Sequence, residues 1–260
     1  MTAVFLRLGP LVAGLGMYAL FQWQWSAPLL FPWPLVLALL AYAVVASWIA
    51  WVSGDRWEMV WKTVPGMLFV AAAIVCASML ELPLWRHALS FLVAVVSYFS
   101  LELFFLLEYD APHYPVNGLT HLHVGLVPLT NALLAWGAVG ILTFLRSSAS
   151  LGLLAALCFG AFLLVNGLGF AVTSHPDATR AQRRAWIFFG LGVGFGVACL
   201  VLFLPLGMPA QALLSALFVA APLRLRRYGF SPRPPAVFAW IEGSVFLLLF
   251  FGILLFSRWA

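Results

Sequence analysis

The chain has 260 residues, of which 65% are hydrophobic and 8% charged, and its mean hydropathy is +1.07. Soluble domains carry about a quarter charged residues, and thirteen basic plus eight acidic side chains are too few to coat a globular core of this length. A soluble fold is thereby excluded, and lipid is the expected solvent.

The net charge of +5 does not point to nucleic acid, because the basic residues fall in short clusters between apolar stretches and form no basic domain. A bilayer core about 30 Å thick is crossed by roughly 20 helical residues. Nine stretches reach or approach that length: Ala3 to Gln22, Pro32 to Ser53, Val64 to Leu80, Leu84 to Leu107, Val124 to Arg146, Ser150 to Val172, Ala185 to Leu204, Met208 to Leu223 and Ala236 to Phe256. The third and eighth are short. Continuous apolar runs without two-residue alternation exclude a β-barrel. The expected fold is an all-α, polytopic transmembrane helical bundle of about nine spans, or eight if a short one fails to cross, forming a single integral membrane domain over residues 1–260.

The first stretch contains Arg7 and runs without a small-residue cleavage site, so it is expected to be a retained span and not a signal peptide. With nine spans and a cytoplasmic N-terminus, Arg7, Arg56, Lys62, Arg180, Arg183, Arg184, Arg224, Arg226, Arg227 and Arg233 fall on one side, and Arg86, Arg146 and Arg258 on the other. This is the partition that the excess of basic residues in cytoplasmic loops predicts, and it suits a plasma (inner) membrane. Tryptophans near the span ends, among them Trp23, Trp25, Trp33, Trp85, Trp186 and Trp240, read as an interfacial belt. Cys76, Cys158 and Cys199 lie in apolar segments without Cys-x-x-Cys spacing and read as free thiols.

Between the fourth and fifth spans the apolar pattern breaks. Glu102, Glu108, Asp110, His113, Asn117, His121 and His123 follow in close order, and Asn131 comes in the next span. In the nine-span arrangement Glu102, Asn131, Asn166 and Glu242 each lie about 8–10 Å below the cytoplasmic boundary at 1.5 Å per residue. Polar groups at that depth face the bundle interior, a partner or water. The expectation is a cytoplasm-facing cavity lined by these four, with the Glu108 to His123 segment as its lid; hydrogen bonding between neighbouring helices is the plainer account of the same residues. Glu108, Asp110, His113, His121 and His123 would suit zinc or iron, but only if the segment is extended, since two residues apart on a helix diverge by about 200°.

Toward the C-terminus, Asp177 or Thr179 can cap the seventh helix, and Arg180, Arg183 and Arg184 then sit at the headgroup level. Gly190 with Gly194 and Gly192 with Gly196 form two small-xxx-small pairs, expected to pack closely on a neighbour. Arg224, Arg226 and Arg227, followed by Ser231 to Pro235, read as an irregular cytoplasmic loop suited to anionic lipid headgroups, or to a protein partner. No P-loop, dinucleotide fingerprint or zincin motif is present. Three readings stay open: a carrier or channel-like protein using Glu102 and Glu242, a structural or assembly subunit with protein partners in the membrane, and a membrane-embedded metal-dependent or acid-base enzyme acting on a lipid or isoprenoid.

Overall fold

The computed structural model describes residues 2–30, 33–53, 56–115, 117–144, 148–173, 179–229 and 236–257. Arg146, His175, Asp177, Arg233, Arg258 and the stretch from Ser231 to Pro235 lie outside them. Among the described residues the chain forms α1 (Thr2–Ser26), α2 (Trp33–Ser53), α3 (Arg56–Ala77), α4 (Pro83–Tyr109), α5 (Gly118–Phe144), α6 (Ser148–Val172), α7 (Arg180–Phe203), α8 (Met208–Gly229) and α9 (Ala236–Phe256). Seven of these, α2 and α4 to α9, are long and apolar enough to cross a membrane, and α3 carries the shorter apolar helix Lys62–Ala77. The chain is an integral membrane protein with the all-helical bundle its composition demands.

The helices outrun the apolar stretches at their polar ends. Helix α3 begins at Arg56, α5 at Gly118 and α7 at Arg180, while α8 runs on to Gly229. Helical hydrogen bonding is a backbone property, and it persists where charged side chains leave the hydrocarbon for the headgroup zone. Two expectations are corrected by this. Arg224, Arg226 and Arg227 are helical in α8 and not part of an irregular loop, and His121 and His123 belong to α5. At α7, Thr179 is the cap: its hydroxyl accepts from the Gln182 backbone N–H at 3.3 Å, and Gln182 Oε1 accepts from the Thr179 N–H at 2.9 Å, a reciprocal box that satisfies two orphan donors.

The fold gathers into two compact units, Met1–Leu122 and His123–Ala260. In the first, α1 to α4 form an up-and-down four-helix bundle. Side-chain pairings fix the directions: Gln22 of α1 bonds Ser90 of α4 and Gly14 lies against Ala94 and Tyr98, so these helices run antiparallel. Tyr42 with Ser100 and Tyr109 with Ile49 make α2 and α4 parallel. Met17, Phe21, Leu35, Phe69, Leu101 and Phe104 fill the core. Tyr42 is buried with them, its hydroxyl 2.8 Å from Ser100 Oγ, and a Cβ at Gly66 would run into that hydroxyl. Only glycine lets α3 close over the pair.

The second unit packs α5 to α9 around Val127, Ala135, Phe162, Phe170, Val197 and Leu214. Helices α6 and α7 approach so closely that a Cβ at Gly194 would stand 2.6 Å from the Phe162 carbonyl oxygen, and one at Gly190 would meet the carbonyl of Asn166. The pair Gly190 and Gly194 therefore carries the close approach. The second pair divides: Gly196 faces the Phe218 ring of α8, and Gly192 has open space. Helix α9 has no buried residue along its span from Val237 to Phe256. The three cysteines are free thiols.

Candidate functional site

The charged groups of the first unit gather where α4 ends. Glu102 is partly buried, seven residues short of that end, which at 1.5 Å per residue is about 10 Å along the axis. The antiparallel register of α1 brings Arg7 to the same level, near enough to act on the Glu102 carboxylate electrostatically. One and a half turns on, Glu108 Oε1 stands 3.4 Å from Lys62 Nζ of α3. Tyr109 then donates its hydroxyl to the Ile49 carbonyl at 3.0 Å, tying α4 to α2. Of the two α4 carboxylates, Glu108 thus pairs with a cation from another helix. Sequence reading had placed Arg7 and Lys62 as topology signals only. Nothing in their spacing reveals a partner 46 residues away along the chain, as Lys62 and Glu108 are.

The connector to α5 is short. The Asp110 backbone N–H closes α4 onto the Leu106 carbonyl, and its carboxylate lies 2.7 Å from His113 Nδ1 across a single 3-10 turn, Ala111–His113. Asn117 takes a φ of 57°, a left-handed conformation that asparagine tolerates better than most residues. Leu119 N–H bonds the Tyr114 hydroxyl at 2.9 Å as α5 starts. Because α5 is helical from Gly118, His121 and His123 point to different sides: His121 is exposed and His123 is 2% exposed. The extended arrangement that would turn both toward a metal is not formed. Among the described residues no three His, Cys, Asp or Glu side chains gather closely enough to hold a metal ion.

In the second unit two of the expected cavity residues meet directly. Asn166 Nδ2 donates to Asn131 Oδ1 at 2.8 Å, and Asn131 Nδ2 donates to Asn166 Oδ1 at 3.2 Å. Each amide also donates to the carbonyl one turn back, Val127 and Phe162, at 2.8 Å. Both side chains are fully buried, and all four amide hydrogens are in use. Glu242, on α9, is partly buried. Glu102 belongs to the first unit.

At the end of the second unit where α6 stops, Arg226 turns inward. Its guanidinium donates to the Thr173 hydroxyl at 3.1 Å and to the Thr173 carbonyl, and lies 5.2 Å from the centroid of the Trp186 ring. Phe170 stacks beneath that indole. A cation is well placed there, over a π face and against the carbonyl end of a helix. Arg180, Arg183, Arg184 and Arg224 are exposed.

Compared with protein-family models, with curated proteins and with solved structures, the chain shows no match.

Proposed function

We propose that this integral membrane protein is a carrier or channel-like protein in which the carboxylates of α4 handle protons or a charged solute. The observation that carries the reading is Glu102, an acid well inside a membrane-spanning helix, with the charge of Arg7 on α1 close enough to act on it. An ionisable group at such a depth costs several kcal/mol on insertion scales, so it is retained where it serves a path or a binding site. The Lys62–Glu108 pair at the mouth of the same bundle supplies a second exchangeable charge. In this reading the N-terminus is cytoplasmic, the membrane is the plasma membrane, and exposed Arg180, Arg183, Arg184 and Arg224 rest on anionic headgroups.

The test is proton flux into vesicles holding the purified protein and an entrapped pH-sensitive dye, under an imposed pH gradient. Wild-type protein is expected to acidify the lumen faster than protein-free vesicles, and a folded Glu102→Gln variant to fall at least tenfold. Flux unaltered by that substitution overturns the reading.

A structural or assembly subunit is the second reading, favoured by the Asn131–Asn166 pair. Two of the four polar residues expected to line a cavity are consumed in joining α5 to α6. Stoichiometric membrane partners in gentle detergent extracts, with no flux in vesicles, would decide for it.

A further inference from the structure

The opposite end of the first bundle holds a cavity of about 360 Å³. It opens between the C-terminal ends of α1 and α3, the start of α2 and the first turn of α4. Trp25, Leu35, Ala77 and Leu80 supply apolar walls, and Gln24, Ser78 and Arg86 are its polar groups, the Ser78 hydroxyl being spent on the Val75 carbonyl. The volume is within the range of small-ligand sites, and the mix of apolar wall with a few fixed polar atoms is their usual composition.

Two atoms give the cavity its chemistry. Gln24 is 6% exposed, and its Oε1 is buried with no hydrogen-bond partner. A buried acceptor without a donor costs about 1–3 kcal/mol, a cost that a ligand donor would relieve once the Gln24 amide turns its oxygen toward the cavity. Arg86 donates Nε to the Leu80 carbonyl at 2.8 Å, which holds the guanidinium in place along the wall. No carboxylate lies within ion-pair range of it among the described residues; Glu81, on the same connector, is exposed. The guanidinium thus presents donors to an oxyanion, and the Gln24 amide, turned toward the cavity, would accept from a donor beside it. One turn further along α4, beyond the cavity lining, Gln22 donates to Ser90 at 2.9 Å.

The exposed rings of Trp23 and Trp85 place this mouth at the level where amphipathic aromatics meet lipid headgroups. We infer that the cavity binds an oxyanion with a hydrogen-bond donor beside it: a phosphate or carboxylate next to a hydroxyl or ammonium, taken by Arg86 and Gln24 respectively. A phospholipid headgroup and a small free organic anion share that chemistry. The inference is independent of the carrier reading, since it concerns the other end of the bundle and is read by binding, not flux.

The experiment is a thermal-shift titration of the full chain in a neutral detergent with two probes, phosphatidylglycerol and glycerol phosphate. Phosphatidylcholine, which lacks a donor, is the reference lipid. Arg86→Gln should weaken binding of the active probe about tenfold or more, as loss of a charge-assisted bond does, and Gln24→Leu by about threefold. Binding of the lipid alone assigns a headgroup site, and binding of both assigns a soluble anion; either supports the inference. It is overturned if neither probe binds better than phosphatidylcholine, or if Arg86→Gln leaves binding unchanged.

Discussion

Asn131 and Asn166 hold each other through both ends of their amides, 2.8 Å in one direction and 3.2 Å in the other, and each is anchored to its own helix by a bond one turn back. Truncating one residue strands the other in an apolar surround. Asn131→Ala or Asn166→Ala is expected to cost about 1–3 kcal/mol. The double variant should cost less than the sum of the two, because no orphaned amide remains. Denaturant or thermal unfolding in micelles measures all three, and strict additivity would show the amides to be independent.

The glycines of α7 make a graded test of packing. Gly194→Ala sets a methyl group against the Phe162 carbonyl, and overpacking of this kind costs about 1–3 kcal/mol. Gly192→Ala meets nothing within 4 Å, and alanine suits a helix better than glycine by up to about 1 kcal/mol in aqueous hosts. Melting temperatures should therefore move in opposite directions. A common direction would mean that α6 and α7 are not in the close register described.

In the first unit, Gly66→Ala should displace Tyr42 and break its bond to Ser100. Tyr42→Phe removes the same bond without the clash, costing about 1 kcal/mol. The alanine is then expected to be better tolerated in the Tyr42→Phe background than in the wild type, since the missing hydroxyl is the atom it would strike hardest, nearer than the ring Cζ that stays at 2.5 Å. Equal costs in the two backgrounds would contradict that contact.

Arg226 combines a fixed fork with a π face, two properties lysine lacks. Arg226→Lys keeps the charge yet should lose the paired contacts to the Thr173 hydroxyl and carbonyl, destabilising the end of α6 by about 1–2 kcal/mol. Trp186→Leu should have a smaller effect, about 0.5–1 kcal/mol beyond lost packing. Amide exchange near Thr173, slower in wild type than in Arg226→Lys, is the local readout.

Composition determined that this chain lives in lipid, and continuous apolar runs without two-residue alternation that it is helical, because a bilayer admits only helices and closed barrels. Hydropathy also located the helix centres, and the Thr179 cap and the glycines at 190 and 194 were legible because their signals are local: spacing, side-chain size and a short oxygen-bearing side chain at a helix start. Helix ends were not. At Arg56, Gly118 and Gly229 the backbone continues through residues whose side chains carry no apolar signal. Partnerships were decided only by the tertiary structure. Glu108 with Lys62, Tyr42 with Ser100 and the cavity of Gln24 and Arg86 all join helices distant along the chain. Which face of one helix meets which face of another follows from packing summed over a whole bundle, and no short stretch of sequence records it.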